Sequence, residues 1–151
     1  MQLKGNRIVN AVPGKVWELL MNPDTLAKVV PGITSLEAIS EHSFTSSLHI
    51  KIGPVSGTFS GKLQLEDIVD GKSFTLNTQQ NSKIGNANAT LQIVLSSVGD
   101  QQTEVIFDGN AKLSGMLASM GQRIIGGIAN TLTNQFFSNL QNEIAITTNA
   151  E

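Results

Sequence analysis

No cysteine occurs in the 151 residues. That absence removes disulfides, thiolate nucleophiles, redox pairs and thiol-based metal sites together. Histidine is nearly as scarce, with only His42 and His49 available as acids, bases or ligands. Strand parity points His49 to a polar face, and no local cluster of His, Asp and Glu has the spacing of a zinc or molybdenum-cofactor site, so no metal and no cofactor are expected. Neither sign of charge is in excess. Ten basic against twelve acidic residues give a net charge of -2, without any block of like charge. Long-range electrostatics therefore favour neither nucleic acid nor an anionic membrane surface. Long apolar runs are missing too. The most apolar window, 115–132, is interrupted by Gln122, Arg123 and Asn130 and falls short of the roughly 20 apolar residues that span a bilayer, so no membrane anchor is expected in this chain. The amino terminus lacks the basic-then-apolar run of a secretion signal, which makes the cytoplasm the expected location.

Catalytic motifs are equally hard to find. Gly71-Lys72-Ser73 ends like a phosphate-binding loop, but Glu66 stands where that motif needs its first glycine. No Gly-x-Ser-x-Gly elbow appears. The carboxylates Glu66, Asp67, Asp70, Asp100, Glu104 and Asp108 fall near turns or on a presumed outer face, and none is nominated as half of a catalytic pair.

What is present is a period of two. Val55, Gly57, Phe59, Gly61, Leu63 and Leu65 share one face of a strand; so do Ala87, Ala89, Leu91, Ile93 and Leu95, and Val105, Phe107, Gly109, Ala111 and Leu113. The opposite faces are mostly polar. The small residues on the buried face fit either a hollow beneath the sheet or the bends of a strongly coiled sheet, and the strands alone allow both.

Leu3 to Asn10 reads as a first strand. Pro13 then opens a short helix, and Asn22-Pro23-Asp24 caps and starts a second. Between Ile33 and Leu113, turn signals near Glu41-His42, Gly53-Pro54, Asp70-Gly71, Lys83 to Asn86 and Gly99-Asp100 divide six antiparallel strands. From Met116 to Ile144, apolar residues recur at three- and four-residue steps, which predicts one long amphipathic helix across the sheet. Gly121, Gly126 and Gly127 each cost such a helix about 1 kcal/mol relative to alanine, a cost that close packing or a kink would offset. The pattern is α+β: a curved antiparallel sheet of about seven strands around a carboxy-terminal helix, forming one domain over 1–146 with a short polar tail at 147–151.

These segments also carry a resemblance. Val16-Trp17-Glu18-Leu19-Leu20 with Asn22-Pro23-Asp24 and Val30-Pro31-Gly32, then Lys51-Ile52-Gly53-Pro54-Val55 with Phe59-Ser60-Gly61-Lys62, then Met120-Gly121-Gln122-Arg123-Ile124-Ile125 and Gln135-Phe136-Phe137, together resemble the G-subunit family of carbon monoxide dehydrogenase. That family belongs to the helix-grip superfamily of START lipid-transfer domains, birch-pollen allergen-like proteins and polyketide cyclases. The resemblance implies an apolar cavity between sheet and long helix. It further implies a hydrophobic small molecule as ligand and a molybdenum hydroxylase as an associated protein.

The expected lining is Phe59, Leu63, Phe74, Ala89, Leu91, Phe107, Gly109, Met116, Met120, Ile124 and Ile128, an apolar set suited to a lipid- or quinone-like molecule. A non-catalytic carrier is the favoured function. The alternatives are a cyclase or dehydratase using the same cavity, which would need a buried acid or base, and an assembly factor acting through protein contacts. Arg123 is expected to hold a carboxylate or a backbone carbonyl that fixes the long helix, since its guanidinium offers five donors.

Overall fold

The computed structural model describes residues 1–149. Strand β1 (Gln2–Val9) leads into helix α1 (Pro13–Met21), with Pro13 at a first-turn position that needs no N–H. Helix α2 (Pro23–Val29) follows at once, because the Asn22 side chain accepts a 2.9 Å hydrogen bond from the Asp24 N–H and caps it. Gly32, at φ +77°, then turns the chain into the sheet.

Six strands come next: β2 (Ile33–Ser40), β3 (Ser43–Ile52), β4 (Val55–Val69), β5 (Ser73–Ser82), β6 (Gly85–Gly99) and β7 (Gln102–Leu113). The breaks fall at the expected turns. All pairings are antiparallel, and the order across the seven-stranded sheet is β1-β7-β6-β5-β4-β3-β2. The first strand therefore pairs with the last, Gln2 lying opposite Asn110, while α1 and α2 carry the chain to the far edge. Inner-face rows follow from the register. One runs Phe44, Leu63, Thr78, Ala89, Ala111; its neighbour runs Ser46, Gly61, Gln80, Ala87, Leu113.

The expected single long helix is two. Helix α3 (Gly115–Ser119) and helix α4 (Gln122–Asn149) are separated at Gly121, whose φ of +86° is left-handed and incompatible with helix. The three- and four-residue spacing of Met116, Leu117 and Met120 continues across this break, so periodicity alone joins what the backbone separates. At the other end α4 runs on past residue 146 to Asn149, so residues 147–149 of the expected tail are helical. Ala150 and Glu151 lie outside the described residues.

Helix α4 lies on the concave side of the sheet and buries Ile125, Leu140 and Ile144 there. From Asn134 onward it is tied on both sides. Gln141 accepts from the Asn10 N–H at 3.0 Å, Asn134 accepts from the Arg7 guanidinium at 3.0 Å, and Asn139 donates to the Val29 carbonyl at 3.1 Å. The buried apolar residues form two clusters. The larger joins Val9, Val16, Trp17, Leu19, Leu20 and Val29 to Phe44, Leu63, Leu65, Phe74 and Leu140. The smaller, beneath the amino-terminal end of α4, gathers Ile50, Val55, Phe59, Leu117 and Ile125.

Candidate functional site

Between sheet and helix lies an apolar cavity of about 240 Å³. Its floor comes from alternate residues of four adjacent strands: Leu63 and Leu65 of β4, Phe74 and Leu76 of β5, Leu91 and Ile93 of β6, Val105 and Phe107 of β7. Leu132, Thr133, Phe136 and Phe137 of α4 form the roof. Leu20, Leu26, Val30 and Pro31, from α1, α2 and the bend after them, close one side. Aromatic rings stiffen the walls. Trp17 meets Phe74 edge-on at 5.9 Å, Phe107 stacks on Phe137 at 6.1 Å, and Phe136 meets Phe137 edge-on at 5.2 Å. Among the described residues, no ionisable side chain lines the cavity. Its one hydroxyl, on Thr133, donates to the Ala129 carbonyl at 2.8 Å within the helix.

A second hollow, a cleft of about 570 Å³, separates β1 from the first half of α4. Gln122, Gly126, Ala129 and Asn130 line one wall; Met1, Leu3, Lys4 and Arg7 line the other. Cleft and cavity share Phe107 and Thr133, so the two hollows adjoin at those side chains. The Phe107 ring fits because Gly5 faces it: a Cβ on Gly5 would stand 2.7 Å from the ring tip. Arg7 closes the inner end of the cleft, bonded to Asn134 and to the Asn6 carbonyl, with its guanidinium carbon 6.0 Å from the centre of the Phe137 ring.

Of the lining residues expected from sequence, Leu63, Phe74, Leu91 and Phe107 stand around the cavity. Phe59 lies in the smaller cluster, with Met120 and Ile128 packed against it. Ala89 is half-buried on the inner face, between Thr78 and Ala111 in the register. Met116 and Ile124 are 58% and 45% exposed, outside the cavity. At Gly109 the added Cβ would run into the Thr90 carbonyl of the neighbouring strand, and at Gly61 into the Gln79 carbonyl. Those two glycines serve the coiling of the sheet. The cavity itself sits among leucines and phenylalanines, not over the small residues whose gaps suggested it.

Arg123 is exposed and its side chain makes no hydrogen bond or ion pair with the described residues, so it does not fix the helix. The side of the cavity built by Leu20, Leu26, Val30 and Pro31 was the part that strand patterning could not supply.

Residues 5–145 match the family model of the carbon monoxide dehydrogenase G subunit, CoxG. The chain belongs to the CoxG family. It is similar to a conserved protein from Geobacillus kaustophilus, with 31% identity over 97% of both chains and a TM-score of 0.94. More distant likenesses carry the fold alone. A START superfamily protein from Mycobacterium smegmatis superposes with a TM-score of 0.75 at 9% identity, over 97% of this chain and 98% of that one. The Zhui aromatase/cyclase from Streptomyces sp. R1128 does so with 0.68 at 12%, over 95% and 92%. No curated protein matches. This CoxG chain has the helix-grip fold, and family and fold together support a ligand-binding protein. Among the described residues, no three His, Asp or Glu side chains are grouped to hold a metal, and no helix is long and apolar enough to cross a membrane.

Proposed function

We propose that this CoxG chain is a non-catalytic carrier, holding a hydrophobic small molecule of lipid- or quinone-like character between sheet and α4. The observation that carries the reading is the cavity wall, apolar apart from the Thr133 hydroxyl and, among the described residues, without an ionisable side chain. Such a wall favours transfer of an apolar molecule from water and supplies no general acid or base for turnover. At about 240 Å³ the cavity is smaller than most small-molecule sites. A longer cargo would continue past Phe107 into the cleft.

In this reading Leu63, Phe74, Leu91 and Phe107 touch the cargo, and residues 1–146 act as one binding domain in the cytoplasm. The family's name supports service to a molybdenum hydroxylase of the carbon monoxide dehydrogenase type. Denaturing extraction of the purified protein, followed by mass spectrometry, tests the carrier role together with titration by an environment-sensitive lipid probe. Saturable binding unaffected by chelators is expected. Steady chemical conversion of a bound compound, or no saturable binding across a panel of apolar probes, would overturn it.

A further inference from the structure

Arg7 places a cation on the inner face of the sheet. It follows Leu3 and Gly5 in the inward parity of β1, stands opposite Val105 in the register, and is half-buried. Its partners are few. One N–H donates to the Asn6 carbonyl at 2.9 Å and one to Asn134 Oδ1 at 3.0 Å, and among the described residues no carboxylate pairs with it. Glu104 and Asp108 of the neighbouring strand have the outward parity, where Glu104 accepts from Asn6 at 2.6 Å. A guanidinium carries five N–H groups in a planar fork. With two of the five engaged, three are left without an acceptor among the described residues.

Those donors stand where a polar space adjoins an apolar one. The cleft that Arg7 lines has no carboxylate in its walls among the described residues, and its other lysine or arginine, Lys4, takes the outward parity of β1 opposite Asp108. On the other side lies the cavity wall. The guanidinium carbon is 6.0 Å from the centre of the Phe137 ring, and Phe137 lines the cavity with Phe107 stacked on it. One unpaired cation beside an apolar wall matches the two ends of an anionic amphiphile.

We propose that the cargo is a monocarboxylic acid with an apolar tail, a fatty acid in chemical class, whose carboxylate is held by Arg7 and whose tail enters the cavity beside Phe107. A carboxylate suits the free donors better than a phosphate does. Two parallel N–H bonds satisfy both of its oxygens, and one guanidinium balances its single charge. A phosphate monoester would bring close to two charges and a third oxygen to a site with one inward cation. The inference rests on the carrier reading for the tail and adds the chemistry of the head.

The experiment compares decanoate, methyl decanoate and decyl phosphate as competitors of a neutral environment-sensitive probe at neutral pH. Decanoate should bind at least about tenfold more tightly than its ester, the worth of hydrogen bonds to a charged group. The ester reports the cavity in every variant, so the ratio of acid to ester isolates the head. Arg7→Gln should bring that ratio close to one, and Arg7→Lys, which keeps the charge without the fork, should retain part of it. Equal binding of acid and ester by the wild-type protein would overturn the inference and leave the carrier reading standing. An unchanged ratio in Arg7→Gln would also overturn it, as would tighter binding of decyl phosphate than of decanoate. Failure of all three competitors and of the probe to bind would overturn the carrier reading and the inference with it.

Discussion

At Gly61 and Gly109 a hydrogen in place of a methyl group sets the path of the sheet. A Cβ at either position meets a carbonyl oxygen of the adjacent strand, whereas a Cβ on Gly57 meets nothing within 4 Å. Gly61→Ala and Gly109→Ala should each lose about 1–3 kcal/mol in chemical denaturation, because backbone has to move. Gly57→Ala should stay within about 0.5 kcal/mol. Sequence offered the three glycines as equals, since each occupies an inward position of a strand. Whether an inward glycine relieves a bend or borders open space depends on the local coil of the sheet, which a period of two does not encode. Leu91 presents the complementary case. It lines the cavity, so Leu91→Phe should place its added carbons in empty volume, costing under about 1 kcal/mol by thermal denaturation while apolar-probe affinity falls.

Among the elements, α4 is held unevenly. From Asn134 onward it is tied to β1, to the segment after β1 and to α2 by Arg7, Asn10 and Asn139. Along its first half, Gly126 and Gly127 are exposed and the cleft intervenes on the β1 side. Arg7→Ala removes the side chain that bonds Asn134 and covers Phe137, at the inner end of the cleft. Stopped-flow measurement should show probe association and release both several-fold faster, with less change in affinity, because the substitution opens a passage and leaves the cavity wall intact.

The strands and their turns were legible because glycine, proline and Asp or Asn mark them. The seam within the carboxy-terminal helix was not. Met116, Leu117, Met120 and Ile124 keep a helical spacing through Gly121, and only the left-handed backbone there reveals the break. Only four of the eleven expected lining residues border the cavity, for a related reason. Inward parity identifies the face, but the seat of α4 on that face decides whether Phe59 packs beneath it or Phe107 borders a void.

For the whole molecule, a bound cargo and the folded state support each other. Ligand that binds only the native chain stabilises it by about 2.7 kcal/mol at a hundredfold excess over Kd. For a domain of this size that should raise the melting temperature by roughly 5–10 °C. Calorimetry with a saturating apolar probe checks this, and Leu91→Phe should largely abolish the rise. The pairing of β1 with β7 has its own consequence during synthesis. Gln2 must wait for Asn110, and at ordinary ribosomal speeds that interval is on the order of 5–20 s. Strands β2 to β7 meanwhile close hairpin by hairpin as they emerge, each against the one just made. Strand β1, translated before the rest of the sheet, is thus among the last of its strands to find its place. Until then the open side of β7 is an unpaired edge to which any nascent-chain chaperone, or a neighbouring copy on the same messenger, has prior access.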